Sequence, residues 1–378
     1  MVAACPVMAS YRRPPDRRED MTDDNQKRQA RSESGRRVTL LDVAADAGVS
    51  RATVSLVLRD SPQIPEATRE RVRRSMTRLR YVYNRGAASL RTERSQTVGV
   101  VVPDITNPYF AEMVSAIETA LSPFGRIPFL GNSREDPSLQ DRFIETLREH
   151  NVDGVFLCPA RGTLPAALER FRQWQLPVVQ ISRFVPDVEV DYVGADNERG
   201  VRDAVEHLIG LGHQRIAFIG ANPAMSTGRE REAGWRQALT AAGLAADPDL
   251  VIACPATRDD GMNAVLRLLG RPDPPTAAVC FNDILAFGVM LGLRYTDLEP
   301  GRDFSVVGCD GIAETALWRP ALTTIAIPNQ DIGATAANLL MRRVEAPDHP
   351  DERILMEPRL VIRSSCAPPA EARRRKGR

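Results

Sequence analysis

Residues 38–58 read VTLLDVAADAGVSRATVSLVL, a stretch whose punctuation predicts two short helices joined by one glycine turn. Thr39 followed three residues later by Asp42 is a helix-start signature: the hydroxyl caps an orphan N–H and the carboxylate favours the positive helix end. The first helix therefore begins near Leu40 and sets Leu40, Val43, Ala44 and Ala47 on one apolar stripe. Gly48 supplies the turn, since glycine enters the left-handed region without strain. Ser50 then caps a second helix that buries Val54, Val57 and Leu58 and leaves Arg51, Ala52, Ser55 and Leu56 on or near the opposite face. Such a face fits a DNA major groove, although an ordinary helical hairpin shares the same turn chemistry.

The next forty residues favour the groove. Pro65 opens a third helix, Pro65 to Leu79, that carries Arg69, Arg71, Arg73, Arg74 and Arg78. From Val38 to Ser95 eleven arginines stand against six carboxylates, an excess of five positive charges, whereas the whole chain carries only +1. A compact basic helical unit is the electrostatic footprint of a phosphate binder. Arg51 is the expected base-edge reader, Ala52 and Leu56 suit a thymine methyl, and Ser50 and Thr53 suit phosphate. Thr39, Ser55 and Arg59 complete the expected DNA-facing set within the helices.

From Thr97 the pattern changes to short apolar runs, TVGVVVP, RIPFLG, DGVFLCP and PVVQIS, separated by helix candidates at Tyr109 to Leu121, Ser138 to Glu149 and Pro165 to Trp174. After Asp196 a second set follows: strands RIAFIG, LVIACP, AAVCF and FSVVGC, and helices near Glu198 to Leu211, Arg229 to Ala242, Gly261 to Leu269 and Ile284 to Leu293. Strand–helix–strand order predicts doubly wound parallel α/β sheets. Ligands of such sheets sit beyond the carboxyl ends of the strands. The loop DITNPYF after the first strand therefore offers Asp104, Asn107, Tyr109 and Phe110 as a polar and aromatic wall, with helix capping and core packing as the plainer roles of Asn107 and Phe110. Ser133 and Arg183 join them by position alone.

Composition excludes several classes. At 378 residues the chain exceeds the roughly 100–200 residues of one domain, and its 43% hydrophobic content suffices for a packed core. No apolar run approaches the roughly 18–20 residues of a membrane span, and the opening MVAACPVMAS lacks basic residues ahead of its weakly apolar stretch. A cytoplasmic protein is expected. Cys5, Cys158, Cys254, Cys280, Cys309 and Cys366 form no C-x-x-C pair, so neither a zinc site nor a disulfide framework is suggested. His150, His207, His213 and His349 sit in no nucleophile motif, and neither a dinucleotide fingerprint nor a P-loop occurs. No cofactor, metal or enzymatic activity is therefore expected. The boundaries follow as a disordered extension at 1–36, a helix-turn-helix head at 37–82, a linker at 83–95, a body at 96–363 and a disordered basic tail at 364–378. Met21 offers an alternative start of translation, and the tail has no leucine heptads.

These segments, with TRERV, YNR leading into ASL, VGVVVPDITNPYF, GHQRIAFIG, REREAGW, FNDILAFG, VVGCDGIAE and PALTTI in that order, resemble the lactose-repressor (LacI/GalR) family of bacterial transcription regulators through nearly all of Val38 to Ile362. The resemblance implies a small all-α head on a two-lobed body like that of periplasmic sugar-binding proteins. It further implies a homodimer on a near-palindromic operator, most often acting as a repressor, and an effector held between the lobes. That effector is a sugar or related metabolite, a purine-type corepressor being the other class served by the same cleft. Arg231 matches the arginine that grips the effector, Asn282 is assigned to the cleft and Asp310 matches the carboxylate that accepts ligand hydroxyls. In the family the linker folds into a hinge helix only on operator DNA, with paired leucines wedged into the minor groove. Asn84, Arg85, Ala87 and Leu90 fall in that segment here, and Gly86 and Ser89 weaken an isolated helix there. Two departures stand out: Leu56 where arginine is frequent, and Tyr83 where proline is common. The body alone also suits an extracytoplasmic solute-binding protein, but the basic head does not.

Overall fold

A computed structural model describes residues 38–82 and 94–369, and the chain divides into a head unit and a body unit. The expectations for Asn84, Arg85, Ala87 and Leu90, for residues 1–36 and for residues 370–378 lie outside the described residues.

The head contains α1 (Leu40–Ala47), α2 (Arg51–Val57) and α3 (Glu66–Arg78). Thr39 and Asp42 cap α1 reciprocally: the Thr39 N–H donates to the Asp42 carboxylate at 2.7 Å and the Asp42 N–H to Thr39 Oγ1 at 3.4 Å. Gly48 closes α1 at φ +61°, and Ser50 Oγ accepts the Thr53 N–H at 3.0 Å to open α2. Val43, Ala44, Ala47, Val54, Val57 and Val72 form the buried centre. Leu58, expected inside, lies half-buried at its edge. Asp46 fastens α1 to α3 by accepting from the Arg78 guanidinium and from Ser75 Oγ at 2.5 Å, contacts that hold its carboxyl below the usual range.

The body begins with β1 (Thr97–Val102), α4 (Pro108–Leu121), β2 (Ile127–Asn132), α5 (Pro137–Glu149), β3 (Val155–Leu157), α6 (Pro165–Gln173), β4 (Val178–Ile181) and β5 (Asp191–Ala195). It continues with α7 (Asn197–Gly210), β6 (Ile216–Ala221), α8 (Ser226–Ala241), β7 (Val251–Ala253), α9 (Arg258–Leu269), β8 (Ala277–Cys280), α10 (Asp283–Leu293), β9 (Ser305–Asp310) and β10 (Thr323–Ala326). Last come α11 (Asn329–Glu345), β11 (Arg353–Met356) and β12 (Arg359–Val361). Two six-stranded sheets result, ordered β11-β5-β4-β3-β1-β2 and β12-β10-β9-β8-β6-β7, parallel except for the β10–β12 pair. The chain crosses between lobes at 195–197, 326–329 and 356–359.

The apolar runs of the central strands are continuous because both sheet faces are covered there; β6, for example, is buried at every position, whereas the edge strand β2 leaves Ile127, Phe129 and Leu130 exposed. The sequence predicts four strands per lobe, and the structure adds β5, β10, β11, β12 and the returning α11. Gly333 of α11 lets that helix approach α4, since a Cβ there would come within 2.7 Å of Ala116 Cβ. Helix α8 starts at Ser226, ahead of the expected Arg229, which places two further hydroxyls at its amino end. The start of the expected loose tail is also held: Ser365 Oγ donates to Val306 O at 2.6 Å, and the Ala367 N–H reaches Ser305 Oγ at 3.0 Å. His213 Nε2 contacts the same Ser305 hydroxyl and the Ala367 carbonyl. Among the described residues no helix is long and apolar enough to cross a membrane, and no cluster of metal ligands occurs. Cys158, Cys254, Cys280, Cys309 and Cys366 are free thiols.

Candidate functional site

On the head, Arg51, Ala52 and Arg59 are exposed, and Thr39, Thr53, Ser55 and Leu56 are half-buried. Several of these hydroxyls are already engaged. Thr39 Oγ1 donates to Asp42 at 2.7 Å, Ser50 Oγ and Thr53 Oγ1 lie 2.9 Å apart, and Ser55 Oγ accepts from Arg59 at 3.1 Å. The arginines of α3 are largely engaged as well. Arg69 donates to the carbonyls of Ser61 and Ile64, Arg73 meets Glu66 and Asp60, Arg74 meets Glu70 and Arg78 meets Asp46. Among the described residues Arg51, Arg71 and Arg80 are exposed with no such partner. Of the third helix's described arginines only Arg71 is thus free, while Arg69, Arg73, Arg74 and Arg78 are held by partners within the head.

In the body, the strand ends of the two lobes meet around Asp310 and Arg231. Both side chains are buried, and Arg231 Nη2 lies 3.7 Å from Asp310 Oδ1. Arg231 also donates from Nε to Asn197 Oδ1 at 3.0 Å and from Nη1 to the Phe281 carbonyl, with the Phe281 ring 4.8 Å from its guanidinium carbon. Burial pushes the Asp310 carboxyl up to about 7, against the opposing pull of Arg231, Arg183 and a hydrogen bond from Asn107. That last bond spans the lobes. Asp310 has φ +124°, a conformation that a non-glycine residue holds only under constraint. The constraint is Asp283, whose carboxylate accepts from the Gly311 N–H at 2.7 Å, the Ile312 N–H at 3.0 Å and Thr324 Oγ1 at 2.6 Å.

The facing wall belongs to the first lobe. Asn107 caps α4 by accepting the Tyr109 N–H at 3.1 Å, and the same side chain also bonds Asp310. Tyr109 donates its hydroxyl to Ser182 Oγ at 2.9 Å, and Phe110 packs edge-on against it, 5.0 Å between centroids. Arg183 lies 5.9 Å from the Phe110 ring and donates to Glu135 at 2.8 and 3.1 Å. Asp104 is engaged in its own turn, accepting from the Thr106 N–H at 2.9 Å and hydroxyl at 2.6 Å. Ser133 is buried with its hydroxyl on the Val102 carbonyl at 3.4 Å. Asn282 is the cap of α10, accepting the Leu285 N–H at 2.9 Å.

Sequence reasoning missed several members of this cluster. Thr227 is buried at the start of α8, and its Oγ1 has no hydrogen-bond partner. Ser226 beside it accepts the Phe184 N–H at 3.0 Å from the other lobe. Their signal was the Ser-Thr pair immediately ahead of GREREAGW. Asn197, Ser182 and Glu135 carry no local motif and enter only through packing, while Phe281 opens the FNDILAFG segment but was read there only for the Asn282 that follows it.

A basic helix-turn-helix unit joined to a two-lobed α/β body with a polar interlobe cleft defines a ligand-responsive DNA-binding regulator. Residues 39–84 match the model described as bacterial regulatory proteins, lacI family, and residues 95–363 match periplasmic binding proteins and sugar binding domain of LacI family. The chain belongs to the LacI family of transcriptional regulators. It is 32% identical over 86% of its length to the HTH-type transcriptional repressor CytR of Escherichia coli strain K12, covering 96% of that protein. It is 31% identical over 88% of its length to the HTH-type transcriptional regulator DegA of Bacillus subtilis, covering 99%. Among solved structures, the lac repressor dimer bound to operator and the anti-inducer ONPF aligns with TM-score 0.79 and 26% identity, covering 88% of this chain and 100% of that one.

Proposed function

We propose that the chain is a cytoplasmic, homodimeric repressor without catalytic activity, whose operator affinity is set by a small, hydroxyl-rich effector bound between the lobes. The cleft's charge balance is the observation that carries the effector class. Arg231 lies beside Asp310 and Arg183 is bonded to Glu135, so a ligand meets paired donors and acceptors rather than an uncompensated charge. A neutral sugar matches such pairs, each of its hydroxyls both donating and accepting. An anion would meet two carboxylates. Similar proteins support this class, since one solved relative is the regulator CelR in complex with cellobiose and another, from Enterococcus faecium, holds ribose. A purine base is the second reading, favoured by the Phe110 and Phe281 rings beside the two arginines and by a 32% identical relative named PurR.

The dimer rests on apolar surface. Ile127, Phe129 and Leu130 of edge strand β2 are 40–47% exposed, and Leu317 and Tyr295 of the second lobe are 75% and 78% exposed. Two matched heads then fit a two-fold operator. Sedimentation equilibrium tests this directly, and a single-copy mass at micromolar concentration contradicts it. Isothermal titration calorimetry with cellobiose, ribose, other pentoses and hexoses, nucleosides and purine bases tests the cleft. Binding by a neutral sugar that disappears in Arg231→Ala supports the effector class; binding only by purines replaces it with the second reading.

A further inference from the structure

A chain of polar contacts leads out of the cleft. Arg231 Nε donates to Asn197 Oδ1 at 3.0 Å, and Asn197 Nδ2 donates onward to Glu230 Oε2 at 2.9 Å and to the Ala195 carbonyl at 3.1 Å. Glu230 Oε1 then faces Arg353 Nη2 at 3.5 Å. Asn197 sits where the chain first crosses between lobes, and Arg353 opens β11, the strand that returns to the first lobe's sheet beside Tyr192. The Arg353 guanidinium is stacked 4.0 Å from the Phe184 centroid and 4.7 Å from that of Tyr192. Phe184 closes the circuit, because its N–H donates to Ser226 Oγ on α8, the helix that also bears Glu230 and Arg231.

Resting on the reading of the cleft as the effector site, we propose that Glu230 and Arg353 form an interlobe latch, positioned through Asn197 by Arg231, that biases the lobes toward closure. Glu230 and Arg353 carry side-chain exposures of 21% and 47%, so solvent screens the pair and it contributes modestly. Modest is what a switch requires, since a two-state hinge responds to differences of this size whereas a strong buried pair would lock it. A ligand that draws on Arg231 changes the geometry offered to Asn197 and thereby the position of Glu230. Glu230 meets the cleft cluster through Asn197 alone among its hydrogen bonds, and Arg353 meets neither Arg231 nor Asp310, so the pair acts on position and not on recognition.

The Phe184 amide is a built-in reporter, since its N–H is protected by a hydroxyl of the opposite lobe. Hydrogen–deuterium exchange of the peptide containing Phe184, measured on the full-length protein without ligand, tests the latch. Glu230→Gln is expected to speed exchange there roughly twofold to fivefold, the scale set by a partly exposed pair. Arg353→Met should do so by at least as much, because it also removes the stack on Phe184. The double variant should exchange no faster than Arg353→Met alone, the signature of one shared interaction. Asn197→Asp, which replaces the donor to Glu230 with a second carboxylate oxygen, should match Glu230→Gln. Unchanged exchange in Glu230→Gln and Asn197→Asp, or multiplicative effects in the double variant, overturns the latch. Because this comparison needs no effector, failure of every compound in calorimetry would remove the effector reading and leave the latch to be judged by exchange alone.

Discussion

In the head, Arg51, Arg71 and Arg80 stand in solvent, whereas in the body Arg183 and Arg231 are only 7% and 4% exposed and each lies beside a carboxylate. One residue type therefore serves two kinds of recognition. Exposed, unpaired guanidiniums cost little desolvation and add to a field that attracts a polyanion in many registers. Buried, paired guanidiniums must satisfy their geometry, and in exchange they present fixed, directional donors to a small ligand. The cores differ in the same sense: six buried apolar side chains centre the head, while the central strands of the body's two sheets are buried on both faces.

The largest expected effect sharpens that contrast. Arg231→Ala should lower effector affinity at least about a hundredfold, because it also strands Asp310 and the Asn197 amide without their partner. Operator binding should persist, and a ligand response that survives would place recognition elsewhere. Next, Val54→Ala should cost the head about 2 kcal/mol through lost burial and a cavity. Calorimetry should then show the head transition shifting down while that of the body stays, and a common shift would show that the two units unfold together.

Leu90→Ala, in the linker outside the described residues, should weaken operator binding about tenfold more than binding to random DNA. Equal losses would remove the minor-groove wedge. Arg51→Ala should cost operator affinity about tenfold with relaxed base preference, whereas Arg78→Ala, its guanidinium already on Asp46, should change DNA affinity less than about threefold. Equal losses at the two positions would erase the distinction between free and engaged arginines.

The smallest effect concerns protons. Burial raises Asp310 to about 7, so near neutral pH a sizeable fraction is protonated. A ligand whose hydroxyls donate to the carboxylate favours the ionised form and lowers its pKa, so binding releases part of this proton near neutral pH. Affinity should therefore rise a few-fold between about pH 6 and about pH 8 and level off above, and Asp310→Asn should flatten the profile. Titrations in buffers of different ionisation enthalpy should show proton release, and proton uptake would reverse the assigned role.

How much of this was legible in the chain depends on how local the determining contacts are. Thr39, Asp42, Gly48 and Ser50 act within one helical turn, so the helix-turn-helix and its caps could be read residue by residue. The strands of both lobes were legible where burial on two faces made them continuously apolar. Strand β5 was not, because it opens on Asp191, whose burial depends on Arg343 at 2.8 and 3.0 Å and on the Glu352 N–H, all far along the chain. Strands β11 and β12 are three to four residues long with partly exposed positions, and they join different sheets, a pairing that no local pattern encodes. In the cleft, Asn107, Arg231 and Asp310 come together as expected, while Asn197, Thr227, Glu135 and Asp283 matter through partners that folding supplies. The third helix shows the converse error, since a count of arginines does not reveal which of them face a carboxylate.

Fluorescence anisotropy of the full-length protein on its own upstream intergenic DNA, at fixed salt and with the compound panel titrated in, tests the central claim most directly. Tight binding to that DNA over random sequence, shifted by one compound in wild type and unmoved by it in Arg231→Ala, is the predicted result. Binding that no compound shifts, or a shift that persists in Arg231→Ala, would contradict the account.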